Sequence, residues 1–258
     1  MVTVKKLSKY IIKSLTGFEI ERFGAKSFAL IDRNNRIDAW FSYRNQIRSV
    51  IEKFDIDIVI DVGANEGQFS QQLRTFYDGE ILSFEPVTSV FEKLAKAASA
   101  DPKWHAFKLA LGSSETTLTI NVSDNTVFSS LLKTNDYCMQ RFGDRSLGTR
   151  EEVVSVRRLD MLLDDLIPDI ENKRIFLKMD TQGYDMEVFK GLGNKIKHVN
   201  VLQSEVSLIS IYEGMPHWTE SISILEKAGF GVVGMFPVTR DSGRVIEYDC
   251  VLARQEPE

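Results

Sequence analysis

The chain of 258 residues lacks several features that would assign it to a specialised class of protein. Its two cysteines, Cys138 and Cys250, have no metal-like spacing; one disulfide is open to them, but such low cysteine usage favours free thiols in a reducing compartment. No apolar run reaches the roughly 18 residues of a membrane-spanning helix. With 32 basic and 37 acidic residues, a formal net charge of −5, it also lacks the basic surface typical of nucleic-acid binding. What remains is the composition of a globular protein with a sizeable core.

The N-terminal residues contain no long apolar segment followed by a small-residue cleavage site, so we expect no secretory signal and a cytoplasmic protein. Val4, Leu7, Ile11 and Leu15 recur at helical spacing with lysines between them. Such a helix could rest weakly on an anionic membrane surface or pack its apolar face against the protein. We predict a mostly helical extension over residues 1–55, which could also cap a pocket or form a homodimer.

From residue 56 onward, strand patterns alternate with helix patterns, which predicts one domain over residues 56–258. Buried strands are expected at Ile56–Ile60, Glu80–Phe84, "HAFKLALG", "IFLKMD" and "HVNVLQSEV", and a long loop at residues 124–150. Near the C-terminus, "FGVVGMF" and "VIEYDCVLA" flank a short polar link and predict an antiparallel hairpin. This order predicts an α/β fold, an open and mostly parallel sheet with an antiparallel edge. Ligands of such sheets bind at the carboxyl ends of the strands.

The segment "IVIDVGANEG" predicts a turn that holds a ligand, because two glycines follow a buried strand and lead into a helix. A dinucleotide-binding turn is not favoured, since Asn65 stands where its second glycine belongs. The phosphate-binding Gly-Lys-Ser/Thr sequence is absent from this turn. A smaller ligand suits the turn: the N–H groups around Gly63, Ala64, Asn65 and Gly67 could hold an amino-acid carboxylate, with Asp61 near its ammonium group.

The next predicted strand ends in "ILSFEP", which places Glu85 at its tip and ends the strand at Pro86. A carboxylate there can accept hydrogen bonds from both ribose hydroxyls of a nucleoside, although an acid at this position could also cap a helix. An amino-acid site beside a nucleoside site predicts S-adenosyl-L-methionine as the cofactor.

Six motifs follow one another along the chain: "IDVGANEGQFS", "SFEP", "ALGSS", "SSLL", "VSVRRLDMLL" and "LKMDTQGYDMEVFKGLG". In this order they resemble the FkbM-type S-adenosylmethionine-dependent methyltransferases. The resemblance implies a Rossmann-like class I methyltransferase fold, a seven-stranded sheet with helices on both faces and the last strand reversed. It also implies O-methylation of a hydroxyl group in a sugar, a glycolipid or a related natural product, and it adds Ala110 of "ALGSS" to the cofactor-binding residues. The sequence departs from the family pattern at Gln182, where a glutamate is usual.

Asp180, Glu205 and His217 are the catalytic candidates, because each is predicted at the ligand-binding edge. Asp180 could act as the base, orient the acceptor, cap the following helix or bind the amino-acid end of the cofactor. Glu205 could bind an acceptor hydroxyl or pair with a basic residue, and His217 could be a base or a solvated loop histidine. We expect no metal ion, since Ser204 and Glu205 stand where metal-dependent relatives of this fold use an Asp-Asn pair.

Two other functions are compatible with such a sheet. A nicotinamide-dependent oxidoreductase is disfavoured by the missing glycine, and a non-catalytic cofactor-binding protein is disfavoured by the intact motifs. For the methyltransferase we expect a small-molecule or glycoside acceptor and no nucleic-acid partner.

Overall fold

A computed structural model describes residues 18–23, 27–32, 36–123, 128–143 and 148–255. The chain divides into two compact units, residues 1–49 and 50–258. The lysine-containing pattern between Val4 and Leu15 lies outside the described residues. Within these ranges, each helix is too short or too polar to span a lipid bilayer.

The first unit contains a hairpin of β1 (Phe18–Phe23) and β2 (Ser27–Asp32), in which Phe18 lies opposite Asp32. The helix α1 (Arg36–Phe54) begins in this unit and ends in the second. The expectation that residues 1–55 are mostly helical is therefore wrong for the hairpin. Its first strand begins with "FEIE", which alternates apolar and charged residues with a period of two, and this favours a strand over a helix.

A seven-stranded sheet dominates the second unit, with the strand order β11-β12-β10-β9-β3-β4-β5. All neighbouring pairs from β10 to β5 are parallel, and β12 runs antiparallel to both β10 and β11. The predicted sheet with a reversed last strand is confirmed. Its strands are β3 (Ile58–Val62), β4 (Glu80–Phe84), β5 (Trp104–Phe107), β9 (Ile175–Met179), β10 (Val199–Ser207), β11 (Phe230–Asp241) and β12 (Arg244–Arg254).

Further helices lie between the strands of this unit. They are α2 (Gln68–Leu73), α3 (Thr88–Ala98), α4 (Asp136–Phe142), α5 (Leu159–Leu166), α6 (Asp185–Lys190) and α7 (Trp218–Lys227), with 3-10 turns at Ile170–Asn172 and Gly193–His198.

A second, three-stranded sheet was not expected. It has the order β6-β8-β7 and consists of β6 (Ala110–Leu111), β7 (Thr116–Ser123) and β8 (Gly148–Arg157). The segment "HAFKLALG", predicted as one strand, is divided between β5 in the large sheet and β6 in the small one. The predicted loop over residues 124–150 likewise contains α4, whose first turn is capped by Asn135 accepting the Cys138 N–H.

The central strands β3 and β9 are buried over all five of their residues, as their largely apolar sequences predict. Because β3, β4, β9 and β10 are parallel, their carboxyl ends meet at one edge. Sequence positions far apart in the chain, including Gly63, Glu85 and Asp180, are therefore neighbours at this edge.

Candidate active site

A cleft opens at the carboxyl edge of the large sheet and extends to the small sheet. One side is largely apolar and is formed by Val87, Val90, Leu109, Leu111 and Ile120. The other side is polar and is formed by Asp180, Thr181, Gln182, Tyr184 and Glu205. Gly63, Asn65, Glu85, Pro86 and Ala110 also line the cleft, so most of the predicted cofactor residues do come together there.

The turn after β3 explains why Gly63 is a glycine. Its φ is +75°, and a Cβ atom there would lie 2.0 Å from the backbone oxygen of Asp180. The N–H groups of Gly63 and Ala64 both donate to the carbonyl oxygen of Phe84, each at 3.0 Å. These two amides therefore join β3 to β4 instead of facing a ligand, and the close approach at Gly63 is made by the neighbouring strand.

Gly67 and Ala64 pack on the side of the turn that does not face the cleft. Gly67 has a φ of +88°, and a Cβ atom there would lie 2.8 Å from the indole of Trp104. Ala64 is buried, and neither residue is among those that line the cleft in the part of the chain the structure describes. Both positions shape the turn through packing.

Glu85 lies at the tip of β4 and is only 7% exposed. Its Oε2 accepts the Asn65 N–H at 3.0 Å and its Oε1 accepts the Val87 N–H at 2.9 Å. Burial raises the pKa of this carboxyl to about 7, and the two amide hydrogen bonds oppose that rise. Each oxygen keeps a second lone pair, so the carboxylate can still accept hydrogen bonds from a ligand in the cleft.

Asp61 occupies a different position from the one predicted. It is fully buried, its Oδ2 accepts the Ser70 hydroxyl at 2.9 Å, and its Oδ1 lies 3.4 Å from Lys178 Nζ. Burial raises its pKa, while Lys178 and Ser70 lower it. Asp61 is not among the described residues that line the cleft. Its carboxylate instead binds Ser70 and Lys178 inside the sheet.

Asp180 and Glu205 lie on the polar side and are connected by one side chain. The amide Nε2 of Gln182 donates to Asp180 Oδ1 at 3.2 Å and to Glu205 Oε2 at 2.9 Å. Lys178 Nζ donates to the other oxygen of Asp180 at 3.0 Å. Asp180 is thus an ion-paired carboxylate, whereas no hydrogen bond to Glu205 Oε1 is found within the described ranges.

Asp185, at the start of α6, fixes the backbone beneath this pair. Its carboxylate accepts the N–H and the hydroxyl of Thr181 at 2.8 and 2.6 Å, the Ser204 hydroxyl at 2.8 Å and the Glu205 N–H at 3.0 Å. These contacts tie the turn after β9 to β10. Asp180 and Glu205 therefore project from a cross-linked backbone.

Glu205 has an unusually acidic environment. Burial raises its pKa well above the ordinary value, and the carboxylates of Glu247, Asp180, Asp249 and Asp185 raise it further. Asp249 lies directly opposite Glu205 on the adjacent strand β12. A raised pKa makes the ionised form of a carboxyl a stronger proton acceptor.

His217 is not brought to the cleft. It precedes α7, is exposed, and its Nδ1 lies 2.8 Å from Thr219 Oγ1. From the same segment, Tyr212 is the residue that reaches the site: it is 1% exposed and its hydroxyl donates to Gln182 Oε1 at 2.9 Å.

Sequence reasoning assigned no role to Lys178, Gln182 or Tyr184. Lys178 had a signal, because it is the one charged residue inside the otherwise apolar strand "IFLKM". A buried lysine in such a strand requires a carboxylate partner, here Asp180 and Asp61. Gln182 is visible in the sequence only as a departure from the family pattern.

Comparison with known proteins adds to this geometry. Residues 61–232, more than half of the chain, match the methyltransferase FkbM domain. No curated protein matches the chain.

Similar solved structures include magnesium protoporphyrin IX methyltransferase from Synechocystis PCC 6803 with bound SAM, with 9% identity, 99% of each chain covered and a TM-score of 0.45. Another is fibrillarin from Aeropyrum pernix in complex with S-adenosyl-L-methionine, with 10% identity, 92% of this chain and 83% of that chain covered and a TM-score of 0.47. Precorrin-6y C5,15-methyltransferase from Geobacter metallireducens GS-15 has 13% identity, 83% of this chain and 88% of that chain covered and a TM-score of 0.46. The domain match over the strands and turns that build the cleft shows that the chain belongs to the methyltransferase FkbM family and uses S-adenosylmethionine as its cofactor.

Proposed function

We propose that the protein methylates a hydroxyl group of a sugar, a glycolipid or a related natural product. The observation that carries the proposal is the pair of carboxylates, Asp180 and Glu205, on the polar side of the cleft that Glu85 also lines. A hydroxyl acceptor must lose a proton during methylation, and a positioned carboxylate accelerates such a step by about 10²–10⁴-fold.

The residues of the cleft fit the cofactor. Glu85 offers a buried carboxylate for the two ribose hydroxyls, and Val87, Leu109 and Leu111 offer an apolar surface for the purine ring. Gly63, Asn65, Pro86 and Ala110 complete this side of the cleft. When bound, S-adenosylmethionine supplies a methyl group on a positively charged sulfur.

Glu205 suits the role of general base better than Asp180. Asp180 is already held by Lys178 and Gln182, so we assign it to orienting the acceptor through a hydrogen bond from an acceptor hydroxyl. Glu205 keeps Oε1 for the acceptor, and burial raises its pKa. In this scheme Glu205 takes the proton of the reacting hydroxyl, while Asp180 fixes the acceptor near the methyl group, where alignment itself lowers the barrier.

The charge of the cleft favours a neutral or cationic acceptor rich in hydroxyl groups. Asp180, Thr181, Gln182 and Glu205 present acceptors and donors at short spacing along one side. Carboxylates concentrated in a cleft repel polyanions, which disfavours nucleic-acid acceptors.

A methyl-transfer screen with labelled S-adenosylmethionine tests the proposal directly. The acceptors are neutral glycosides, glycolipids and hydroxylated small molecules, with a polyanionic oligonucleotide as the counter-test. We expect label in at least one hydroxyl compound and none in the oligonucleotide. Label found only in the oligonucleotide, or only on carbon or nitrogen atoms of the test compounds, would refute O-methylation of this acceptor class while leaving the cofactor assignment intact.

A further inference from the structure

Gln182 has an unfavourable backbone conformation beside the acid pair. Its φ is +53°, in the left-handed region that costs a residue with a side chain about 1–2 kcal/mol. Its backbone oxygen accepts the Ser130 hydroxyl at 2.7 Å. Non-glycine residues persist in this region when their surroundings hold them, and such residues cluster at functional sites.

The side chain of Gln182 uses both of its N–H donors and its carbonyl oxygen in one network. The two N–H donors of its amide go to Asp180 Oδ1 and Glu205 Oε2, and its Oε1 accepts from Tyr212. Carboxyl oxygens of Asp180 and Glu205 accept from the nitrogen end of the amide, and the Tyr212 hydroxyl donates to the oxygen end. The orientation of the amide is therefore fixed by three partners.

We propose that Gln182 is the positioning residue of the acid pair, which rests on the function proposed above. Its amide holds Oε2 of Glu205 and Oδ1 of Asp180, and this leaves Glu205 Oε1 for the acceptor hydroxyl. Its second function is electrostatic: a neutral amide keeps an additional negative charge out of a site that already holds several carboxylates.

The surroundings of Glu205 show why neutrality matters. Facing it are one group from the turn after β9, one from α6, two from β12 and one from the segment after β10: Asp180, Asp185, Glu247, Asp249 and Tyr212. Lys178 is the one cation among the groups named here, and it bonds to Asp180 at 3.0 Å. A glutamate at position 182 would add a carboxylate at the distances the amide now occupies, where like charges favour protonation of one partner.

Two variants separate the two functions of Gln182. Gln182→Glu adds the charge, and Gln182→Met removes the donors at similar size. For Gln182→Glu we expect the acidic limb of the kcat/KM profile to move upward by about one pH unit or more. For Gln182→Met we expect kcat to fall at least about tenfold, with unchanged affinity for S-adenosylhomocysteine, because the amide contacts the acids and not the cofactor side.

The control is Gln255→Glu, which makes the same charge change at an exposed position at the opposite edge of the sheet. It should match the wild type in kcat and in its pH profile.

Thermal unfolding without substrate makes failure of this inference distinguishable from failure of the proposed function. Gln182→Glu should lower the melting temperature more at pH 8, where the added carboxylate is ionised, than at pH 5. If the melting temperature of Gln182→Glu depends on pH in this way but the wild type methylates no hydroxyl acceptor, O-methylation is refuted and the electrostatic role of Gln182 stands. Methylation of a hydroxyl with wild-type pH profiles and kcat in both variants would overturn the positioning role alone.

Discussion

The two halves of the cleft are built by different kinds of contact. At the tips of β3 and β4, backbone groups make the structure: the amides of Gly63 and Ala64 donate to Phe84, and Glu85 accepts backbone N–H groups from Asn65 and Val87. At the tips of β9 and β10, side chains bond to side chains through Lys178, Asp180, Gln182, Glu205 and Tyr212.

This difference matches a division of labour. Backbone-to-backbone hydrogen bonds do not titrate, so the turn after β3 does not depend on pH, whereas Glu85 in the same half, with a pKa raised to about 7, titrates near neutral pH. The second half contains ionisable groups whose charges depend on one another, which suits proton transfer and makes it sensitive to pH. Changes in the two halves should therefore have separable effects on cofactor affinity and on turnover.

The largest effect is expected from Glu205→Gln, which removes the proposed base and preserves the size of the side chain. With the acceptor that the methyl-transfer screen identifies, kcat should fall by about 10²–10⁴-fold. Glu92→Gln, the same change at an exposed position of α3, is the control and should leave kcat unchanged. A kcat for Glu205→Gln within about threefold of the wild type would show that the base is another group.

Gly63→Ala should damage the first half through sterics alone. The added Cβ would lie 2.0 Å from the Asp180 oxygen, and the φ of +75° is unfavourable for alanine, so we expect a loss of about 2–4 kcal/mol in the free energy of unfolding.

Gly214→Ala is the matched control for this change, since Gly214 has the same φ of +75° and no atom within 4 Å of the added Cβ. It should cost about 1 kcal/mol, the conformational part alone. Urea denaturation of both variants gives the difference, and equal losses would mean that the contact with β9 does not constrain the turn.

Asp249→Asn should have a smaller effect that depends on pH. Burial raises the pKa of Asp249 to about 7, with Asp180 as a further cause. The folded protein therefore binds this proton more tightly than the unfolded chain, and the resulting stabilisation is complete below about pH 4 and lost as pH rises through about 7. The variant should be more stable than the wild type at pH 8, by on the order of 1–2 kcal/mol, and should lose that advantage by pH 4–5.

The measurement is the melting temperature of Asp249→Asn across this pH range. Asp165→Asn, at an exposed site on α5, serves as its control and should show a difference from the wild type that does not change with pH. An Asp249→Asn curve parallel to the wild-type curve would contradict the buried-charge explanation.

Local sequence patterns predicted the strands of the first half of the cleft and two of its lining residues, but not that the Gly63 and Ala64 amides bond to Phe84. Strand patterns in the sequence indicated β3 and β4. The residues directly after these strands, Gly63 and Glu85, line the cleft because parallel strands end at one edge. The hydrogen bonds here follow from strand pairing and a tight turn, which nearby residues determine.

The second half could be predicted only in part, because its contacts join distant positions. The ends of β9 and β10 indicated Asp180 and Glu205, but Gln182 bonds to residues 23, 30 and 52 positions away in the chain. The misplacement of His217 has the same origin: periodicity located its loop at the ligand-binding edge, and only side-chain packing decided that Tyr212 turns inward. Asp61 differs because a strand of five residues buried throughout encloses its carboxylate.

Calorimetric titration with S-adenosylhomocysteine tests the division between the two halves most directly and needs no acceptor. At pH 8 Glu85 is ionised, and Glu85→Gln replaces one oxygen that accepts a backbone N–H by an amide that cannot accept. We predict that Glu85→Gln weakens binding by about tenfold or more, whereas Glu205→Gln binds within about twofold of the wild type. Unchanged affinity in Glu85→Gln, or an equal loss in Glu205→Gln, would contradict the assignment of cofactor binding to one half of the cleft and proton transfer to the other.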